Sequence, residues 1–169
     1  MWRRRLGLLA ALCLLAGTAP ALTQGSEPAL LSVVLADGRV REFTRTELEL
    51  FAAEDAPARL RDGAPFKVSG VSVPTLLRAA GLDLTANLGG GQVVGHALIA
   101  RGADGYRAVF GLAEVDPHFG HAPVMVNWAN ADGSALPARV GPMQLIATGE
   151  SRPGRWVRQL IALEVKALP

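Results

Sequence analysis

Residues 141–165 read GPMQLIATGESRPGRWVRQLIALEV, and the two strands that they predict decide the fold class. Met143–Ala147 is an apolar run of the length and composition of a buried strand. A polar loop containing Gly149 follows it. Trp156–Val165 is then expected to form the closing strand. A strand, a polar loop and a second strand at this end of the chain indicate a β-rich domain.

The sequence before this segment predicts more strands than helices. Strands are expected at residues 31–35, 39–43, 66–68, 93–100, 106–110 and 124–128. Thr44 stands three residues before Glu47, a capping box that predicts a helix extending to about Ala53. Ser72 is expected to cap a second helix that stops at Gly81. These elements favour an α+β fold in which β-structure dominates, with mixed sheets and a few short helices.

Two further segments are expected to be irregular. Residues 55–65 are rich in Pro, Asp, Gly and Arg, which favours a loop. Gly89–Gly91 is expected to be a flexible loop, and it lacks the Gly-Lys-Ser/Thr continuation of a phosphate-binding loop.

Residues 1–21 have the pattern of a secretory signal peptide. A basic start at Arg3–Arg5 precedes the apolar run Leu6–Ala16 and the small-residue site Ala19-Pro20-Ala21. The apolar run is too short to cross a hydrocarbon core of about 30 Å. We therefore expect cleavage at residue 21, export of residues 22–169 as one domain to the periplasm, and no membrane span after cleavage. The arginines leave the export route open.

Charge and cysteine content exclude several classes of function. The chain has 17 Lys and Arg against 15 Asp and Glu, and three of the arginines lie in residues 1–21, so residues 22–169 carry a formal charge of −1. This balance gives no reason to expect binding to nucleic acid. Cys13 is the one cysteine and lies in the predicted leader, which excludes thiol, iron–sulfur and cysteine–zinc chemistry from residues 22–169.

Histidines and arginines supply the candidate site residues. His118 and His121 share a loop with Asp116 and could contribute two metal ligands, although such a loop is more often simply solvated. His96 interrupts an apolar strand, either as a polar group facing a cleft or as a neutral histidine satisfied within the sheet. The candidate anion site consists of guanidinium groups around the polar loop, which could equally be surface charges: Arg152, Arg155 and Arg158.

A succession of motifs resembles the oxidoreductase molybdopterin-binding domain family, the fold of sulfite oxidase and its bacterial relatives. The motifs are residues 66–71 with Pro74, Leu76-Leu77 and Ala80-Gly81, then residues 104–106, 132–137, 141–146, 155–158 and 163–165. They cover most of residues 22–169, and their order and spacing match the family. The resemblance implies a sulfite-oxidase-like fold, and it is strongest to small, short-form exported relatives.

The same resemblance shows where this chain departs from the catalytic members. Those members hold molybdenum with a cysteine thiolate, and residues 22–169 contain no cysteine. They have a His-Gly pair where this chain has Val140-Gly141, an Arg where it has Gln144, and a Lys that only Arg158 matches. Losing ligands and donors together removes the contacts that hold a charged cofactor. The resemblance thus implies the fold without implying the molybdenum chemistry.

Three hypotheses follow, and they leave open whether the protein is an enzyme. The first is a periplasmic module without a cofactor that binds a partner protein or a small anionic ligand in a cleft formed by Gly89–Gly91, Arg139–Pro142 and Arg152–Arg158. The second is an oxidoreductase that holds molybdopterin without a protein thiolate, with His96 or oxygen as a metal ligand. The third is a subunit that only docks to a membrane or redox partner. The candidate cofactor-binding or ligand-binding residues are Arg139, Gly141, Arg152, Arg155, Arg158 and His96.

Overall fold

The structure is a computed structural model that describes residues 27–85 and 93–169. The predicted signal peptide and the Gly89–Gly91 loop lie outside the described residues. Among the helices that the structure describes, none is long and apolar enough to cross a membrane.

The strands of the described residues form two five-stranded sheets. The first has the order β2-β1-β10-β5-β6, and the second has the order β3-β4-β7-β8-β9. β1 and β10 are parallel, and the other paired strands are antiparallel. The strands are β1 Leu31–Val34, β2 Val40–Phe43, β3 Glu54–Ala58, β4 Phe66–Ser72, β5 His96–Gly102, β6 Arg107–Gly111, β7 Val124–Asn127, β8 Gln144–Ala147, β9 Val157–Arg158 and β10 Leu160–Ala167. The predicted β-dominant α+β class is confirmed.

The main core lies between one face of each sheet and the second helix. Alternate strand positions point into it, as the two-residue period of a strand requires. Its fully buried side chains include Leu31, Phe43, Leu98, Leu145 and Leu163. A smaller cluster occupies the opposite face of the second sheet, where Trp156 packs against Ala56, Ala58, Val68, Met125 and Ile146.

The helices are short, and the first is shorter than predicted. α1 is Arg45–Glu49, α2 is Val73–Ala79 and α3 is Leu112–Val115. The capping box is present, because Thr44 Oγ1 accepts from the Glu47 N–H at 3.2 Å while Glu47 accepts from the Thr44 N–H at 2.9 Å. The expected continuation to Ala53 is wrong: the helix ends at Glu49 with Leu50 as its C-cap, and Phe51 packs on Phe43 from outside the helix.

The segment predicted to be a loop at residues 55–65 is partly a strand. β3 pairs with β4 throughout Glu54–Ala58, although it contains Pro57. β3 lies at the edge of its sheet, where a proline without an N–H is tolerated. β4 is correspondingly longer than the predicted residues 66–68, and Gly70 lets it approach β7, since a Cβ there would collide with the Val126 carbonyl oxygen.

Two other strand boundaries differ from the expectation. β5 begins at His96, because Val93 and Val94 are helical. The single closing strand expected at residues 156–165 is two strands, β9 in the second sheet and β10 in the first. Gln159 separates them with a φ of 46°. Its N–H donates to the Val140 carbonyl at 2.7 Å and its carbonyl accepts from the Ala103 N–H at 2.9 Å. The chain therefore passes from one sheet to the other at Gln159.

Candidate functional site

The three clustered arginines do not share one site. Arg155 is the last residue of a short 3-10 turn, Pro153–Arg155, and its guanidinium lies between two carboxylates. Its Nε donates to Glu150 Oε1 at 2.5 Å and its Nη1 donates to Glu114 Oε2 at 2.8 Å. The guanidinium carbon also lies 4.4 Å from the centre of the Phe110 ring, a cation–π distance. Arg155 is thus engaged on three sides by the protein itself.

The pKa shifts at this network agree with its geometry. Burial lowers the pKa of Arg155, but hydrogen bonds and Coulomb attraction from Glu114 and Glu150 outweigh that effect and raise the pKa above its usual value. Burial likewise raises the pKa of Glu114, yet the Gly111 N–H and the Arg155 guanidinium outweigh it and hold that pKa below its usual value. Both shifts favour the charged forms, so the ion pairs are present at neutral pH.

A cavity of about 210 Å³ opens beside this network. His121, Ala122 and Gly149 help to line it, together with Phe110, Glu114, Val124, Ala147, Glu150 and Arg155. His118 points elsewhere: its side chain is 62% exposed and its Nδ1 lies 3.0 Å from Asp116 Oδ1. Within residues 27–85 and 93–169, no group of three or more His, Cys, Asp or Glu is placed to hold a metal ion.

Arg158 lines a different pocket, with a volume of about 260 Å³. Its walls are Asp104, Tyr106, Gln144, Pro153, Trp156 and Arg158. No carboxylate of the described residues lies within 4.0 Å of the Arg158 guanidinium. Arg158 is exposed and lines this pocket together with hydrogen-bonding side chains and two aromatic rings, and it has no ion-pair partner among the described residues.

The pairing of β8 with β9 positions the residues on one side of this pocket. Arg158 in β9 stands directly opposite Gln144 in β8, so their side chains lie on the same face of the second sheet. Trp156 immediately precedes β9, and its Nε1 donates to the Ala147 carbonyl at 3.1 Å. The Trp156 ring also meets Phe66 edge to face, with 5.9 Å between ring centres. These contacts fix the indole as a rigid wall.

The β5–β6 hairpin supplies the second half. Asp104 Oδ1 accepts from the Tyr106 N–H at 2.9 Å and so closes the turn, whose Gly105 has a φ of +85°. The Tyr106 hydroxyl donates to the Gly154 carbonyl, which ties the hairpin to the 3-10 turn. A Cβ on Gly102 would lie 2.7 Å from the Arg158 carbonyl oxygen and 2.7 Å from Asp104 Oδ1. Glycine at this position allows the hairpin to reach Arg158.

The Arg139–Pro142 segment lies next to the same β9–β10 junction. The hydrogen bond between Gln159 and Val140 joins them, with Arg139 exposed and Gly141 buried. Arg152 is exposed and precedes the 3-10 turn. The structure therefore brings two of the three predicted cleft segments together, while the third, Gly89–Gly91, lies outside the described residues.

His96 lies apart from the arginines. It begins β5 and lines a cavity of about 380 Å³ together with Leu35, Ala36, Asp37, Arg39, Leu82, Leu112 and Val165. None of these residues lines the Arg158 pocket. The His96 Nδ1 is buried and has no hydrogen-bond partner among the described residues.

Sequence reasoning did not name Asp104 or Tyr106 as site residues, and it included Trp156 only within the range Arg152–Arg158. It did not connect Glu114 or Glu150 with Arg155. The first three stand in motifs that the sequence displays, so their position in those motifs was a usable signal. The two glutamates gave none, because their spacings from Arg155 of 41 and 5 residues follow no local pattern.

Comparisons with known proteins give a structural relationship. No family model matches the chain, and no curated protein matches it significantly. A solved structure, the sulfane dehydrogenase SoxCD from Paracoccus pantotrophus, superposes with a TM-score of 0.56 at 20% sequence identity, over 80% of this chain and 37% of that chain. This chain thus spans well under half the length of its structural neighbour. The comparison confirms the predicted fold: the chain has a sulfite-oxidase-like, molybdopterin-oxidoreductase-like architecture.

Proposed function

We propose that this protein is an exported, non-catalytic binding module on a molybdopterin-oxidoreductase-like fold, and that it binds a small anionic ligand in the Arg158 pocket. One observation carries the proposal. Arg158 projects into a pocket with Gln144 and Trp156, and no carboxylate of the described residues neutralises it. An arginine in a concave site can bind a carboxylate or another oxyanion through two parallel hydrogen bonds.

Arg155 is less suited than Arg158 to bind an anionic ligand. Two carboxylates and an aromatic ring already occupy its guanidinium, so an incoming anion would have to displace Glu114 or Glu150. The earlier expectation that Arg155 binds the ligand remains a prediction, but its contacts favour a structural role. We therefore assign ligand binding to Arg158.

The residues of the Arg158 pocket do not fit a molybdenum-carrying pterin. Such a group brings a metal and a phosphate, and the resemblance implies a thiolate ligand, whereas the chain's one cysteine is Cys13 in the predicted leader. The pocket offers one guanidinium, and the Asp104 carboxylate that also lines it disfavours a group with several negative charges. The Tyr106 hydroxyl already donates to the protein backbone. This donor set supports a smaller ligand with fewer charges.

The oxidoreductase alternative retains one supporting fact, the fold that the chain shares with a sulfane dehydrogenase. Elemental analysis for molybdenum and tungsten, with a fluorescence assay for released pterin, decides between the two. The protein is to be produced with residues 1–21 in place, in cells that make ample cofactor. We expect neither metal nor pterin. Near-stoichiometric metal with pterin would instead establish the oxidoreductase.

Binding itself is tested with phosphate, sulfate and acetate as probes, followed through the Trp156 indole N–H signal in NMR titrations. Arg158→Ala is expected to weaken binding of the best probe at least tenfold. Arg152→Ala is the matched control, because Arg152 is an exposed arginine that lines no pocket described here, and its affinity should stay within twofold of wild type. Equal loss in both variants would mean that the probes respond only to net charge.

Export is tested independently of the ligand. The N-terminal sequence of protein recovered from the periplasm should begin at Leu22 if residues 1–21 act as a cleavable signal peptide. Recovery of the intact chain from the cytoplasm would remove the exported part of the proposal and leave ligand binding unaffected.

A further inference from the structure

The Arg158 pocket contains an anion as well as a cation, and the two do not neutralise each other. Asp104 and Arg158 both line it, yet no nitrogen of the guanidinium lies within 4.0 Å of the carboxylate. Asp104 Oδ1 accepts from the Tyr106 N–H, and Oδ2 accepts no hydrogen bond from the described residues. Separate unpaired charges of opposite sign in one small pocket are complementary to a ligand that carries both signs.

The other residues that line the pocket indicate what uncharged group a ligand would carry in addition to its two charges. Gln144 offers both a donor and an acceptor, and its side chain bonds to no other described residue. Trp156, Tyr106 and Pro153 present apolar surface, and the first two are held in place by their own hydrogen bonds to the backbone. Rigid aromatic walls favour a flat or branched apolar group, since little side-chain entropy is lost when it binds.

We propose that the ligand of this pocket is a small zwitterion of the α-amino-acid class, with an apolar side chain. Its carboxylate binds the Arg158 guanidinium, its ammonium donates to Asp104 Oδ2, and its side chain packs against Trp156. This inference rests on the proposed function and names the ligand class for the same pocket.

Charge and size both favour a zwitterion over simpler ligands. A purely anionic ligand gains Arg158 but meets the Asp104 carboxylate, and a purely cationic one gains Asp104 but meets Arg158, so each is expected to bind more weakly than a ligand that carries both charges. The volume of about 260 Å³ lies just below the range of roughly 300–1,000 Å³ typical of drug-sized ligands. A single amino acid is therefore favoured over a longer peptide or a nucleotide.

Three related probes isolate the two charges. L-phenylalanine carries both, 3-phenylpropionate lacks the ammonium group, and phenethylamine lacks the carboxylate. Their dissociation constants are measured from the Trp156 indole N–H signal, assigned with a Trp156→Phe variant. L-phenylalanine is expected to bind at least tenfold more tightly than either analogue. Equal affinity for L-phenylalanine and 3-phenylpropionate would overturn the inference.

Asp104→Asn is the decisive variant because it removes the charge and keeps the turn. An asparagine Oδ1 can still accept from the Tyr106 N–H, so the hairpin is expected to remain folded. Binding of L-phenylalanine should fall about tenfold, to the level of 3-phenylpropionate, whose own binding should not weaken. The matched control is Asp62→Asn, an exposed aspartate in the β3–β4 connection, which should change neither affinity. Unchanged L-phenylalanine binding in Asp104→Asn would overturn the inference.

The failure of this inference and that of the proposed function give different results. If acetate, sulfate or phosphate binds and needs Arg158, while L-phenylalanine binds no better than 3-phenylpropionate, the anion site stands and the zwitterion is wrong. If none of the anions and none of the three phenyl probes binds, the assignment of the pocket itself is wrong. Tight L-phenylalanine binding that requires both Asp104 and Arg158 supports both.

Discussion

Two arginines three residues apart lie in opposite environments. Arg155 is held by Glu114 in α3, by Glu150 in the loop after β8 and by the Phe110 ring of β6. Arg158 lines a pocket, and its guanidinium has no carboxylate within 4.0 Å among the described residues, although Asp104 lines the same pocket. We therefore expect Arg155 to stabilise the fold and propose Arg158 as the ligand-binding arginine. Residue type and position in sequence do not separate these roles; the location of acidic side chains does.

The largest loss of stability and of ligand binding is expected on substitution of Gly102. Gly102→Ala places a methyl group 2.7 Å from the Arg158 carbonyl oxygen, so the hairpin that carries Asp104 must move away from β9. Overpacking of this kind costs about 1–3 kcal/mol. We expect a loss of about 2–3 kcal/mol in urea denaturation, together with loss of ligand binding. Gly154→Ala is the control, because no atom lies within 4 Å of its added Cβ. A neutral Gly102→Ala would contradict this account of how the hairpin docks.

Arg155→Ala is expected to have the next largest effect. It removes two ion pairs and a cation–π contact, but the side chain is 37% exposed, so solvent screening reduces the loss. We expect the free energy of unfolding to fall by about 1–2 kcal/mol. Arg158→Ala should change it by less than about 0.5 kcal/mol, measured by the same denaturation. Equal destabilisation by the two variants would remove the distinction between the two arginines.

Acid should weaken the Arg155 region selectively. The pKa of Glu114 in the folded protein is lower than its ordinary value of 4.5, so its contribution to stability is complete above about that pH and is lost as the pH falls through the folded pKa. Since this carboxylate is 42% exposed, the contribution is expected to be below about 1 kcal/mol. The advantage of wild type over Glu114→Gln in thermal unfolding should therefore shrink between pH 6 and pH 3. A pH-independent difference would show that the carboxylate's charge is unimportant.

The smallest change in stability is expected for Gln159→Gly, at the position where the chain changes sheets. Its φ of 46° lies in the left-handed region, which glycine adopts without strain and β-branched residues do not. Gln159→Gly should change stability by less than about 0.5 kcal/mol, and Gln159→Val should cost about 1 kcal/mol more. Calorimetry on both variants tests this, and an equal cost would mean that the side chain rather than the backbone matters.

The sequence was sufficient for the fold class and for most elements, because alternating apolar residues and the capping box are local signals. It did not predict β3, since Pro57 and its polar neighbours resemble a loop and only pairing with β4 makes them a strand. It also treated residues 156–165 as one strand, because the break at Gln159 depends on bonds to Val140 and Ala103 from distant segments. Which distant segments pair or form hydrogen bonds with each other is decided by the tertiary structure, and local sequence patterns do not show it.

The candidate site could also be predicted only in part, because contacts between distant segments of the chain are not visible in local sequence patterns. The arginine loop and the motif residues around Gln144 were identified from sequence, and the structure brings Arg158 and Gln144 together across β8 and β9. The three arginines were expected to act jointly, and the structure separates them because Glu114 and Glu150 reach Arg155. His96, also expected near the cofactor site, lines another cavity.

The 3-10 turn Pro153–Arg155 also has a consequence for solubility. β6 is the terminal strand of its sheet, and a terminal strand offers unpaired backbone groups to which another chain can add. Here the Arg155 Nη1 donates to the Val109 carbonyl at 3.3 Å, and the Tyr106 hydroxyl donates to Gly154. The turn thereby covers part of the free edge. Arg155 thus also occupies one backbone acceptor of β6, and we expect its loss to leave that edge more open to pairing with a second copy of the chain.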